Sequence, residues 1–377
     1  MKKRKLIILA GKDFFDFQTG RASVGGVQTY IHDLALLGTE AGFETEIWQT
    51  SEKSISSETA LAAKVTGIPE KTNQRLLKKA LSVLSGKEDR VIISTDQMDI
   101  RSKDSRVIQI QHGIAFDGNF LTKLPGFLGK IEFFRRIERM ARAWINVNRL
   151  RHVPNTVCVD YNFFNWIRTL SDIPPELNIR VIPNYASQKI SSQELHNRIK
   201  KIRRARIIFA RRFVKYRGTV IFANVAEKLL QEFPEITITF AGTGPLEGYL
   251  KKRFNKESRV TFACFAPTES VNFHKNFDIA VVPTISSEGT SLSLLEAMSA
   301  GCFPISTHVG GLTNILIDGY NGLMCSPCES DLFDACRRAL TCPVEDFSRI
   351  RQSAYETAVN GFSAEIWKTR WETFLKK

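Results

Sequence analysis

Ser287-Glu-Gly-Thr-Ser-Leu-Ser-Leu-Leu-Glu-Ala-Met-Ser-Ala-Gly301 places two carboxylates around the start of one helix. Gly289, Thr290 and Ser291 supply a glycine-rich entry and hydroxyl caps, Leu292, Leu294, Leu295 and Met298 recur with helical period, and Gly301 is a C-terminal stop. The pattern predicts that Glu288 precedes the helix and that Glu296 lies in its second turn, about 8–9 Å down the axis. Free backbone N–H groups and the positive dipole end near Thr290 and Ser291 attract a diphosphate. A carboxylate only accepts hydrogen bonds, which suits the paired hydroxyls of a hexose or a ribose. One glutamate would then hold a sugar and the other a ribose. An ordinary amphipathic helix can carry the same two glutamates, so the neighbouring sequence has to decide.

Working outward, strand-like runs alternate with helical ones. Before the stretch lie Ile207–Ala210, a helix over Thr219–Glu232, Ile236–Ala241, a helix near Leu246–Phe254, Val260–Phe262 and Ile279–Pro283; after it comes Phe303–Ser306. An earlier series runs Leu6–Ala10, a helix near Val27–Leu37, Thr45–Trp48, Val91–Ser94, Val107–Gln111 and Val157–Val159. Such alternation predicts two α/β halves with parallel sheets, with the proline and polar residues of 183–196 as linker. Residues 51–87 read as polar and helix-prone.

A chain of 377 residues suits two domains, and 43% apolar with 24% charged residues is a globular composition. No apolar run approaches the roughly 18 to 20 residues of a membrane span. Met1-Lys-Lys-Arg-Lys-Leu-Ile-Ile-Leu-Ala10 is followed by Gly-Lys-Asp and not by a cleavage-type pattern, so Leu6–Ala10 reads as the first buried strand of a cytoplasmic protein. The net charge of +14 is concentrated: residues 121–152 carry +6 and residues 198–217 carry +10 with no acid. That field implies an anionic partner such as phosphate or anionic lipid, and no motif for nucleic acid accompanies it. Seven scattered cysteines fit buried thiols in a reduced compartment, and the Cys336 to Cys342 spacing departs from that of a zinc hairpin.

The Glu-x7-Glu pair, the following Ala297-Met-Ser-Ala-Gly-Cys-Phe-Pro304 and Val309-Gly-Gly-Leu-Thr-Asn-Ile-Leu-Ile-Asp-Gly-Tyr-Asn-Gly-Leu323 resemble the signature of the retaining glycosyltransferases of family 4. The resemblance implies the GT-B fold, two Rossmann-like domains facing across a cleft. Residues 1–184 would bind acceptor, 185–361 would bind a nucleotide-diphospho-sugar, and a helix in 362–377 would cross back to the N-terminal domain. It also implies sugar transfer with retention to a glycan or lipid-linked acceptor in bacterial surface polysaccharide synthesis. The donor would be a co-substrate, a UDP-sugar ahead of a GDP-sugar, with no other cofactor. Other enzymes on this scaffold, an epimerase or a hydrolase, and a non-catalytic partner subunit remain as alternatives.

Site residues follow motif by motif. Arg211-Arg-Phe-Val-Lys-Tyr-Arg-Gly218 resembles the family's Gly-Arg-x-x-x-x-Lys-Gly, so Arg212 and Arg217 would hold the diphosphate. Arg211 then stands in place of glycine, and Arg217 in place of lysine. Ala241-Gly-Thr-Gly-Pro245 resembles the nucleotide turn and puts Gly242 and Gly244 there. Gly25 and Gly26 open an early helix where the backbone can approach a ligand, and His112 ends a strand-like run; the resemblance implies that the glycine loop lies beside the donor diphosphate and the acceptor and that His112 faces the donor sugar. Asn314, Tyr185 and Asp160 depart from the family's usual residues. No Asp-x-Asp occurs, so no metal is expected at the diphosphate. In 127–147, Phe127, Ile131, Phe134, Ile137, Ala141, Trp144 and Val147 recur at three and four among Lys130, Arg135, Arg136, Arg139 and Arg142. This helix reads either as a core helix with a solvated basic face or as a peripheral contact with anionic membrane.

Overall fold

A computed structural model describes residues 3–23, 25–57, 63–114, 131–200 and 205–376. The chain divides into two compact units, one of residues 1–112, 140–182 and 368–377, the other of 113–139 and 183–367.

The first unit is built on an eight-stranded sheet in the order Asn178–Val181, Asn155–Cys158, Val107–Gln111, Arg90–Ile93, Lys5–Leu9, Glu44–Thr50, Lys64–Ile68 and Ile55–Ser57. Every pairing is parallel except the last. Leu6, Ile8 and Leu9 are fully buried, as expected for a central parallel strand covered on both faces. The chain leaves Lys5–Leu9 toward one edge of the sheet, then returns to Arg90–Ile93 on its other side. That reversal is the topological switch point, where α/β sheets hold ligands beyond the carboxyl ends of the strands.

The second unit repeats the plan with six parallel strands, Val260–Ala263, Thr237–Ala241, Arg206–Ala210, Ile279–Val282, Phe303–Thr307 and Leu323–Cys325. Its switch point lies between Arg206–Ala210 and Ile279–Val282. The core beneath is rich in phenylalanine: Phe209, Phe213, Phe222 and Phe240 are buried together, with Phe209 stacked on Phe222 at 5.4 Å between ring centroids.

Two expectations need correction. The described residues of 51–87 contain one helix, Asn73–Ser82, but also the strands Ile55–Ser57 and Lys64–Ile68. The stretch 183–196 is not an open linker: Tyr185, Ala186 and Ile190 are buried, the Ala186 N–H donates to the Phe362 carbonyl at 3.0 Å, and a helix begins at Ser192. The final helix is Ala364–Leu375. Its Trp367 packs on Tyr185 at 4.5 Å between centroids within the second unit. Trp371, fully buried in the first unit, donates from Nε1 to the Tyr30 hydroxyl at 2.8 Å. Among the described residues no helix is long and apolar enough to cross a membrane.

Candidate functional site

At the switch point of the second unit the loop after Arg206–Ala210 meets the loop after Ile279–Val282. The helix read from the sequence runs Leu292–Ser299, with Gly301 in the left-handed region at φ 73° ending it. Glu288 precedes it and is 6% exposed. Its Oε2 accepts from Arg211 Nη2, from Arg217 Nη1 and from Thr284 Oγ1, the last at 2.7 Å. Burial pushes the Glu288 carboxyl up, but the two arginines and Thr284 outweigh it and hold the group below its ordinary value. Burial likewise pulls the Arg211 guanidinium down, and the like charge of Arg217 adds to this against the pull of Glu288.

The placement of the arginines differs from the sequence expectation. Arg212 is exposed, and its side chain makes no hydrogen bond or ion pair with a described residue. Arg217 is half-buried and also donates to the Ser287 carbonyl at 3.0 Å. The residue most deeply built in is Arg211, which sequence comparison marks only as a departure from glycine. A period-two signal points to it: Phe209, Arg211 and Phe213 are buried while Arg212 between them is exposed.

Ser291 holds the N-cap position but its hydroxyl does not cap the helix. It accepts instead from Arg211 Nη1 at 2.8 Å, which corrects the expected hydroxyl cap. The buried Thr290 carbonyl accepts from Asn184 Nδ2 at 2.6 Å. Gly289 lies against Gly311, where an added Cβ would stand 2.4 Å from the Gly289 carbonyl carbon. Ser287 has φ 59°, a strained value for a residue with a Cβ, directly before the glutamate. Gly242 and Gly244 sit against the loop of Arg211 to Phe213. At Gly242, φ is +141° and a Cβ would lie 2.2 Å from the Arg211 carbonyl oxygen, so glycine lets the two loops pass.

Glu296 is half-buried in the second turn and accepts from Ser270 Oγ at 2.6 Å. Ser270 is in turn tied to the buried His274, whose Nδ1 donates to the Ser270 carbonyl at 2.8 Å. Burial lowers His274 to about 4.

In the first unit Gly25 is the N-cap and Gly26 the first residue of the helix Gly26–Glu40. His112 follows Val107–Gln111 and donates from Nε2 to the Ser94 carbonyl at 2.7 Å, at the end of the adjacent strand. Its ring meets Tyr30 edge-on at 5.5 Å. Burial pulls His112 down to about 4, so at neutral pH it is uncharged and its Nδ1 is the acceptor. Asp96, which no motif singles out, is buried beyond the same strand end, and burial raises it to about 6. Asp160 caps the helix Tyr161–Leu170 by accepting from the Phe163 N–H at 2.7 Å.

The basic runs are not uniform patches. Arg206 pairs in two-pronged fashion with Asp278 at 3.1 and 3.0 Å, and Arg211 and Arg217 share Glu288, so these two buried carboxylates offset two of the ten positive charges in 198–217. The helix Glu132–Leu150 reverses one expectation. Phe133, Ile137, Met140 and Trp144 are 65%, 48%, 72% and 63% exposed, Arg135, Arg139 and Arg142 are half-buried, and only Val147 and Leu150 are buried. Of the stripe read from the sequence, Ile131, Phe134, Ile137, Ala141 and Trp144 are exposed and Val147 is buried, so most of it is not core; Phe127 and Lys130 lie outside the described residues. Among the described residues no group of three or more His, Cys, Asp or Glu side chains could hold a metal ion.

The fold has known counterparts. The sucrose-phosphate synthase (tll1590) from Thermosynechococcus elongatus superposes with a TM-score of 0.72 at 14% identity, covering 99% of this chain and 98% of that one. The Anabaena Alr3699/HepE complex with UDP-glucose does so at 0.68 and 14%, covering 98% and 99%. The chain therefore has the GT-B glycosyltransferase fold. Within it, residues 191–357 match the family Glycosyl transferases group 1. The D-inositol 3-phosphate glycosyltransferase of Paenarthrobacter aurescens (strain TC1) is 27% identical over 161 residues, 39% of this chain and 39% of the relative's length.

Proposed function

We propose that the protein is a retaining, metal-independent hexosyltransferase of family 4, moving a sugar from a nucleotide-diphospho-sugar to a glycan or lipid-linked acceptor in bacterial surface polysaccharide synthesis. The observation that carries this reading is the buried Glu288 fixed by Arg211, Arg217 and Thr284 at the switch point of the second unit. Growing negative charge on a leaving diphosphate is best stabilised by fixed cations and N–H dipoles. Arg212, the unbonded donors of Arg217 and the start of the Leu292–Ser299 helix supply both. Glu288 accepts from a sugar hydroxyl, Glu296 from the ribose, and Gly289, Thr290 and Ser291 bring the backbone to the phosphates. Gly25, Gly26 and the neutral His112 serve the sugar and acceptor from the first unit. UDP-glucose in the HepE complex supports a UDP-sugar ahead of a GDP-sugar.

For the acceptor, the outward stripe of Phe133, Ile137, Met140 and Trp144, flanked by arginines, suits shallow insertion at an anionic membrane face. Peripheral placement on the inner membrane face follows.

The test is thermal shift with a panel of nucleotide sugars, followed by isotope-labelled transfer into a lipid extract with and without chelator. Acceptor-dependent product that survives chelation is expected. Free sugar alone would make the protein a hydrolase, an isomerised nucleotide sugar would make it an epimerase, and activity restored only by Mg2+ or Mn2+ would sink the cation assignment.

A further inference from the structure

Arg211 makes four side-chain hydrogen bonds, using both donors of each terminal nitrogen. Nη1 reaches Ser291 Oγ at 2.8 Å and Ser293 Oγ at 2.9 Å; Nη2 reaches Thr284 Oγ1 at 3.2 Å and Glu288 Oε2. These donors are committed, so Arg211 has none of them to offer a phosphate. Arg217 differs: its bonds to Glu288 and the Ser287 carbonyl both use Nη1, which leaves Nη2 and Nε. Arg212 is uncommitted. One loop thus carries one inward cation and two with donors to give.

The two oxygens of Glu288 are also unequal. Oε2 takes three donors, more than its two lone pairs accommodate well, while Oε1 accepts from no described residue. A phosphate competing for Arg217 would leave Oε2 with Arg211 and Thr284, a satisfied pair. Without Arg211, the same departure would strand a buried carboxylate.

We propose that Arg211 is a positioning residue for sugar recognition: it keeps Glu288 anionic and fixed, with Oε1 presented to a hydroxyl of the donor sugar, while Arg217 is released to the diphosphate. This rests on the donor-site reading above. Its fork geometry is essential, because four acceptors around a plane are matched by a guanidinium and not by an ammonium.

The experiment titrates the full chain with UDP and with UDP-glucose by calorimetry between pH 5 and 8. The quantity read is the margin by which UDP-glucose binds more tightly than UDP. Arg211→Gln should reduce that margin on the order of tenfold, the scale of one lost hydrogen bond to a charged group, while UDP affinity stays within about threefold. The remaining margin should fall as pH drops, since a Glu288 with one cation fewer takes its proton at higher pH. A margin unchanged at every pH, or equal loss of UDP and UDP-glucose, overturns the proposal. If Arg211→Gln gives no cooperative melt, Arg211→Lys carries the comparison, with a margin reduced by at least about threefold expected and an undiminished one fatal. Should the wild type bind neither nucleotide, the donor reading fails, and a ligand-free measurement decides Arg211 separately. In carbon-13 carboxylate titrations, the glutamate resonance that Glu288→Gln removes must titrate at higher pH in the Arg211 variant; no movement means that Arg211 does not hold Glu288.

Discussion

The two switch points are built on one plan and filled with opposite chemistry. In the second unit the strand ends deliver Arg211 and Glu288, buried against each other, with the half-buried Arg217 on the same carboxylate. In the first they deliver His112, held uncharged by burial, against the Ser94 carbonyl and the Tyr30 ring. The difference accords with the donor site proposed for the second unit and the hydroxyl contacts proposed for the first. An anion such as a diphosphate needs cations kept in place before it arrives, and these need a carboxylate to offset their repulsion. A hydroxyl needs only neutral donors and acceptors at fixed positions.

The contrast breaks most sharply at Glu288. Glu288→Ala leaves Arg211 buried without its counter-charge, and stability should fall by about 3–5 kcal/mol, with transfer reduced roughly 10²-fold or more. His112→Gln in the other unit should cost about 1 kcal/mol, the scale of one neutral hydrogen bond. Chemical denaturation of both variants compares them, and equal losses would erase the distinction between the units.

Acid acts on both units at once. His112 and His274 are each pushed to about 4, below the ordinary 6.5. The unfolded chain therefore takes up their protons first. Their effect on stability is absent above about pH 6.5, and stability is lost as pH falls from there toward 4, by up to about 3 kcal/mol for each histidine. Glu288, held low, is lost over a more acidic range still. Midpoints of unfolding from pH 7.5 to 4.5 should show a slope that shrinks in His274→Gln and again in the double variant with His112→Gln; a slope unaffected by either would count against burial as the cause.

Glycines sharpen the comparison at smaller scale. Gly242→Ala forces a Cβ to 2.2 Å from a backbone oxygen at φ +141°, and should cost about 1–3 kcal/mol. At Gly25, φ is 169° and an added Cβ meets only the Gln28 side-chain end, so Gly25→Ala should stay within roughly 0.5 kcal/mol. A thermal melt of each is sufficient. Arg212→Ala closes the series: exposed and unpaired, it should leave stability unchanged within about 0.5 kcal/mol while weakening donor binding, and a large drop in melting temperature would make it a structural residue instead.

The sequence resolved this fold where local signals agreed. Leu292 to Ser299 carries helical period, a polar entry and a glycine stop, and it forms as read. Arg211 escaped notice because local sequence does not say which of two neighbouring arginines turns inward; that is decided by the alternation from Phe209 to Phe213, which a run of charges obscures. The helix from Glu132 fails differently. Periodicity tells which side chains share a face, but whether that face is covered depends on neighbours far away in the chain, and Ile137 and Trp144 proved to be outside. Residues 51–87 hid two short strands because neither has the length or clean alternation that separates strand from loop.

Trp371 and Tyr30 are 341 positions apart, yet their rings meet at 6.3 Å in the core of the first unit. That unit is thus assembled from residues that precede and residues that follow most of the second unit in the chain. During synthesis the second unit can close while the first is still waiting for residues 368–377, with Tyr30 and the helix around it lacking their cover. A nascent chain stalled before Trp371 would present that surface to chaperones and proteases.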